Sequence, residues 1–161
     1  MTPTSQKLLI GSVVGAGAIA AYSYVRSITR AQAQLQIIPN VKIHKLGWDG
    51  LTLRIDALMK NPTQGSFTIK FPFIELFYNG DMIGSSQVIN KDIHIIPFGQ
   101  VLVEGMMVNI PVFNMGSTAY KIIQALLNDK PITFTIAAIT TVSLGWTSIA
   151  YESRQDITLK Q

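Results

Sequence analysis

The groups in this chain that could do chemistry are few and stand apart. His44 and His94 are the only histidines, and there is no cysteine, which excludes disulfides, thiolate metal sites and cysteine nucleophiles. His44 lies in VKIHKL and His94 in KDIHIIP. Each alternates with apolar neighbours, the pattern of a solvent-facing strand position. A metal site built on the two histidines would need Asp49 or Asp92 to converge on them, and none of these spacings is that of a metal-binding motif. Glu75 and Asp81, on either side of an expected hairpin, are the best candidates for paired carboxylates, but exposed cross-strand carboxylates normally face water. Gly15-Ala16-Gly17-Ala18 lacks the preceding strand and the following Lys-Ser/Thr of a phosphate loop. We therefore expect no catalytic, cofactor-binding or metal-ligating residue, and no cofactor.

The charge distribution narrows the partners. Over 161 residues only 14% are charged and 48% are apolar, a composition that folds instead of staying disordered and that fills one domain with a short appendage. The pI is about 9.4, yet Lys7, Arg26 and Arg30 supply most of the excess, and from residue 31 onward ten Lys/Arg meet nine Asp/Glu. These are scattered and form no basic stripe, so nucleic acid is not an expected partner.

The basic flank residues bracket an apolar segment. Leu8 to Val25 is eighteen residues without a charge, LLIGSVVGAGAIAAYSYV, between Lys7 and Arg26. As a helix it spans ~27 Å, close to the ~30 Å hydrocarbon core of a bilayer. Tyr22 and Tyr24 sit where amphipathic rings favour headgroups, and Arg26 and Arg30 send their charges into water. We expect a single-pass transmembrane helix, with the lipid bilayer as partner. Ala18-Ile19-Ala20 also has the small-x-small form of a signal-peptide cleavage site, the rival reading. Gly11 and Gly15 form a GxxxG pair that would admit a second helix, although glycine is common in membrane helices in any case. The excess of Arg and Lys after the span leans toward a cytoplasmic C-terminal body.

The body reads as strands. The expected division is 1–30 for anchor and the start of a helical stalk, and 31–161 for the folded body. Leu51, Leu53, Ile55, Ala57 and Met59 alternate with more polar neighbours until Asn61-Pro62 stops them. Phe67, Ile69 and Phe71 alternate again, Pro72 interrupts, and Ile74, Leu76 and Tyr78 lead into Asn79-Gly80, a type I′ hairpin signal. Met82–Ile89 should return antiparallel to Phe73–Tyr78, followed by strands at Ile93–Ile96 and Val101–Val112. Between Asn114 and Asp129, Tyr120, Ile123, Leu126 and Leu127 recur at helical spacing, with Asn114 or Ser117 as cap and Pro131 after the end. This predicts one helix at about Ser117 to Asn128. Pro131–Leu144 and Ser148–Leu159 complete a fold of about seven strands in two antiparallel sheets. Leu46-Gly47-Trp48 and Leu144-Gly145-Trp146 repeat one tripeptide, read as two glycine turns followed by covering tryptophans.

The order of these features resembles the late embryogenesis abundant type 2 domain, also called the water stress and hypersensitive response domain. The matching positions are Leu53 and Ile55 before Asn61-Pro62, then Ile69, Leu76 and Tyr78-Asn79-Gly80. They continue through Ile83-Gly84-Ser85, Ile96-Pro97-Phe98-Gly99, Val101 and Val103, Ile110-Pro111-Val112 and the helix before the last strands. The resemblance covers roughly Leu35 to Leu159. It implies an immunoglobulin-like or fibronectin-III-like sandwich with one helix, often tethered by an N-terminal membrane segment or lipid, and a role in stress protection or membrane-associated binding. The family has no catalytic residues to carry over. Pro72 departs from its pattern and puts a bulge or an edge position there.

Two functional expectations follow. One is a non-enzymatic, membrane-anchored binding or protective module. The other is a structural protein of a larger assembly, such as a membrane-containing virion or a cell-envelope complex, in which the body links the membrane to a protein partner or to a second copy of the chain.

Overall fold

The computed structural model describes residues 35–47, 49–111, 116–143 and 147–159. The expected span and its flanks, from Lys7 to Arg30, lie outside the described residues, as do Trp48, Trp146 and Asn114. Among the described residues no helix is long and apolar enough to cross a membrane. The body, residues 35–161, is a compact unit of its own.

Among the described residues, nine strands and one helix follow in the order β1 (Gln36–Gly47), β2 (Gly50–Lys60), β3 (Phe67–Lys70), β4 (Phe73–Tyr78), β5 (Asp81–Ser85), β6 (Asp92–Ile95), β7 (Gln100–Pro111), α1 (Ser117–Leu127), β8 (Ile132–Ser143) and β9 (Ser148–Leu159). All pairings are antiparallel. One sheet has the order β1-β2-β7, and the other joins β5, β4, β8, β3 and β6, with β9 also paired to β8. The nine strands occupy seven columns, because β3 and β4 run one after the other along the same edge of β8. Ile69 pairs with Val142 and Phe73 with Ile139, so the β3–β4 strand carries one extra residue at its break. Lys70, Phe71 and Pro72 make that break, where the buried Thr140 hydroxyl donates to the Lys70 carbonyl at 2.5 Å. Proline has no ladder donor, so the strand kinks there instead of pairing through. β5 and β6 line up in the same way on the outer side of β4 and β3.

The alternation read from β2 is the core itself: Leu51, Leu53, Ile55, Ala57 and Met59 are all at most 1% exposed. Ile69, Ile74, Leu76, Phe134, Ile136 and Val142 answer them from the other sheet, all buried. Asn79 and Gly80 have φ of 52° and 89°, as the type I′ turn requires. β5 returns only as far as Ser85, short of the expected Ile89, because Ser86 leaves the ladder. Its hydroxyl accepts from the Ile74 N–H at 3.0 Å and its own N–H donates to the Ile74 carbonyl at 2.8 Å.

The helix has the expected extent but a different face. Ala119, Ile122, Ile123 and Leu126 are buried, whereas Tyr120 and Leu127 are 57% and 52% exposed. Small Ala119 turned inward lets the helix axis approach the sheets, and Tyr120 one position on is carried out to water. The N-cap is Gly116, with no side-chain cap bond, so Ser117 is not the cap. At the other end Asn128 Nδ2 donates to the Gln124 carbonyl at 2.6 Å.

Candidate functional site

The residues singled out for chemistry do not come together. His44 lies exposed on β1 and His94 exposed on β6, in different sheets, and the His94 Nδ1 is 3.2 Å from the Thr68 hydroxyl on the neighbouring strand. Asp92 is 2.6 Å from Lys70 Nζ and Asp49 is 2.6 Å from Lys45 Nζ. The Lys45 hydrogen bond holds the Asp49 carboxyl below the usual carboxylate range. Glu75 pairs with Ser85 and Asp81 with Tyr78, so the two carboxylates are not opposite each other and make no acid-base pair. Among the described residues no three His, Asp or Glu side chains are grouped to hold a metal ion.

What the fold does build is a difference between its two open sides. In a sandwich, the edge strands of the two sheets face each other at two seams. At the first, β1 faces β9. Tyr151 donates its hydroxyl to the Leu35 carbonyl at 2.6 Å, and Gln155 Nε2 donates to the Ile37 carbonyl at 2.6 Å. Burial pushes the Tyr151 phenol up, so it remains a protonated donor. Two side chains from β9 thus bond backbone carbonyls at the start of the other sheet, Leu35 just before β1 and Ile37 within it, and this seam is closed.

At the second seam, β7 faces β5. The edges touch near Gly84, where an added Cβ would lie 2.8 Å from the Asn109 carbonyl oxygen. Beyond that point they diverge and leave a cleft of about 490 Å³, lined among others by Phe71, Ser86, Ile89, Glu104 and Met107. Its volume is within the range of small-molecule sites.

A bulge in β7 shapes one wall of the cleft. Ile55 pairs with Met106 and Ala57 with Val103, so Glu104 and Gly105 together stand opposite Asp56. Gly105 takes φ of 75°, which a glycine adopts without steric cost. Its N–H, freed from the ladder, donates to Asp56 Oδ1 at 2.8 Å, and Arg54 Nε donates to the same oxygen at 3.1 Å. The Gly105 bond, with help from Arg54 and against desolvation, holds the Asp56 carboxyl below the usual range. Asp56 is therefore an ionised clamp on the bulge. Glu104, 3.9 Å from Arg54 Nη2 and 62% exposed in its side chain, is a loosely paired carboxylate at the cleft rim.

No nucleophile in the cleft is prepared for reaction. The Ser86 hydroxyl is committed to the Ile74 N–H, and no base adjoins it. Ile89 and Met107, 45% and 37% exposed, put apolar surface beside a polar lining from Ser85, Gln87, Glu104 and Asn109. Such a mixed lining suits binding.

Two of the motifs that carry the family resemblance, Asn61-Pro62 and Ile96-Pro97-Phe98-Gly99, meet at one end of the body. Asn61, 1% exposed, donates from Nδ2 to the carbonyls of Gly65 at 2.6 Å and Ile96 at 3.0 Å. Its Oδ1 accepts from the Thr63 N–H at 3.0 Å and hydroxyl at 2.7 Å. One buried amide thus ties Asn61-Pro62 to Ile96-Pro97-Phe98-Gly99 and satisfies its full hydrogen-bonding capacity. The sequence reading placed both motifs but missed the bond between them, and it missed Asp56, Tyr151 and Gln155. A lone glycine in a strand pattern, Gly105, was the one available signal of the bulge.

Comparisons with known proteins bear on the fold. No family model matches the chain, and no curated protein matches it. Among solved structures, a crystal structure of a protein from Archaeoglobus fulgidus is similar at 8% identity and a TM-score of 0.53, over 80% of this chain and 98% of that one. The solution structure of an Arabidopsis thaliana protein is similar at 15% identity and a TM-score of 0.51, over 76% of this chain and 78% of that one. A second Arabidopsis thaliana solution structure, provisionally named a late embryogenesis abundant protein, aligns at 16% identity over 93% of this chain and 85% of that one, with a TM-score of 0.47. At these identities the first two likenesses establish a shared fold and nothing further, and no argument rests on the third.

Proposed function

We propose that this chain is a non-enzymatic, single-pass membrane-anchored module that binds through the open seam of its sandwich, of the type 2 late embryogenesis abundant kind. The observation that carries the reading is the contrast between seams. One is tied shut by Tyr151 and Gln155, and the other stands open as a cleft of mixed polar and apolar lining, whose Ser86 hydroxyl is structural and whose Glu104 carboxylate is exposed.

Further support comes from the sequence and the column order. Leu8–Val25 has the length and composition of a membrane span between Lys7 and Arg26. In chain order the columns are 1-2-5 in one sheet and 4-3-6-7 in the other. That order places A, B and E opposite C, F and G, which supports an immunoglobulin or fibronectin III kinship. The buried Asn61 bridge gives two of the resemblance motifs, Asn61-Pro62 and Ile96-Pro97-Phe98-Gly99, a common physical purpose.

The test is gentle extraction of the full-length chain from membranes, beside an Ile89→Arg, Met107→Arg variant that fills and charges the cleft. The parent should retain a lipid, small molecule or protein that the variant loses. Identical co-purification from both, or none from either, overturns binding at the seam. A protein present at fixed stoichiometry with both would favour the structural-assembly reading.

A further inference from the structure

The two ends of the sandwich differ in charge as its seams differ in closure. At the end where β1 starts and β2 stops, the crossover 61–66 and the turn 96–99 contain no charged residue. The sequence from Val142 to Tyr151, where β8 ends and β9 begins, contains none either. The opposite end carries the Lys45–Asp49 pair, Asp81 beside the hairpin, and Asp129 and Lys130 after α1.

This end, with Lys60 at the close of β2, also displays apolar side chains. Ile96 is 61% exposed and Phe98 69%. On the outer face of the β1-β2-β7 sheet, Ile38, Leu58 and Leu102 pair across in one rung near this end, and Ile38 and Leu102 are 43% and 54% exposed.

Phe98 is held there against its preference. Gly99 N–H donates to the Ile96 carbonyl at 3.0 Å, with Pro97 second and Phe98 third in the turn. Phe98 takes φ of 54°, which is ordinarily left to glycine or asparagine at the third position of a type II turn. A bulky residue in that region is strained. The turn cannot relax, because Phe98 N–H is bonded to the Thr63 carbonyl at 3.0 Å and Asn61 grips the Ile96 carbonyl. Strain and exposure together gain nothing within the body, so the side chain serves a surface outside it.

The chain itself indicates that surface. β1 begins one residue after Leu35 at this end, and only Arg26 to Gln34, nine residues, separate Leu35 from the apolar segment Leu8–Val25. Nine residues reach ~14 Å as a helix and at most ~30 Å extended. We infer that this end of the sandwich docks on a lipid bilayer. Phe98 and Ile96 enter the headgroup region, Ile38 and Leu102 form the margin, and Lys60 directs its ammonium to phosphate along an apolar stem. The inference rests on the anchor reading above and adds the orientation of the body.

Because the chain has no cysteine, one introduced at the exposed Gln64 in the crossover beside Phe98, or at 81 as control, carries a fluorescent label alone. The full-length labelled chain is reconstituted in phosphatidylcholine vesicles containing nitroxide lipids. The label at 64 should be quenched by lipid several-fold more than the label at 81 and shielded from iodide, at low and high salt alike. In the unlabelled chain, amine modification of Lys60 should slow several-fold on vesicles, and Phe98→Gly, which suits the turn, should abolish the slowing without unfolding the body. A chain that floats with vesicles while position 64 stays open to iodide and unquenched overturns the docking and leaves the anchor standing. Shielding from iodide without lipid quenching assigns the turn to a protein partner and overturns it too. A chain that does not float overturns the anchor and the docking together.

Discussion

The seam between β1 and β9 and the seam between β5 and β7 are built from the same material, two antiparallel edges facing each other across one core, and they end differently. At the first, long polar side chains of β9 reach back to the carbonyls of Leu35, just before β1, and Ile37 within it. At the second, the edge strand bulges at Gly105 and the opposing chain leaves its ladder at Ser86, so the edges part. An edge strand must be covered, charged or bent to avoid pairing with a stranger. This molecule covers one edge and bends the other, and a bent edge leaves room for a ligand.

The comparison breaks most readily where the open seam is tightest. Gly84→Val sets side-chain atoms against the backbone carbonyl of Asn109, which cannot move without moving β7. We expect a loss of about 3 kcal/mol in urea unfolding, the upper part of the range for overpacking. A loss near zero would mean the edges are already free to separate. Next comes the clamp on the bulge. Asp56→Ala leaves the Gly105 N–H without its acceptor and should cost about 1.5 kcal/mol. Its pH signature has a definite sign. The folded pKa is depressed, so the stabilisation is complete above the unfolded carboxylate value of ~4 and is lost as pH falls through the lower folded value. Asp56→Asn should flatten that acid limb of the stability profile, and an unchanged limb would reject the clamp.

The closed seam should give smaller effects. Tyr151→Phe removes the bond to the Leu35 carbonyl just before β1 and Gln155→Ala the bond to the Ile37 carbonyl within it; water can partly replace each, so each costs about 1 kcal/mol. Hydrogen exchange should rise in β1 and not in β7. An equal rise in both would mean the two seams are not independent. Smallest of all, Lys45→Ala breaks a pair that is 60% and 66% exposed, so the unfolding midpoint should stay where it is.

Legibility in the sequence followed the range of the interaction. The period of two along β2 identified its five buried apolar side chains, because a pleated strand turns alternate residues to one side whatever lies beyond. Asn79-Gly80 specified its turn because positive φ at two adjacent positions is a local demand. The helix was half legible. Its extent was readable, but two adjacent apolar stripes were available, and packing against β2 and β8 chose the one containing Ala119 over the one containing Tyr120. The motifs Asn61-Pro62 and Ile96-Pro97-Phe98-Gly99 were visible as separate breaks. Their union through one amide was not, since the Ile96 carbonyl is 35 residues from Asn61.

The sequence by itself determined a mainly β body with one helix, the buried face of its main strands, the hairpin, and the lack of any spacing suited to metal or nucleophilic chemistry. These are consequences of residue type and short-range geometry. Only the tertiary structure decided which seam closes and which opens. Tyr151 and Gln155 meet their acceptors across 116 and 118 residues of chain, and the Gly105 N–H meets Asp56 across 49. A hydrogen bond needs its partners within about 3 Å, and at such separations the sheets must first be packed before any side chain can find its acceptor.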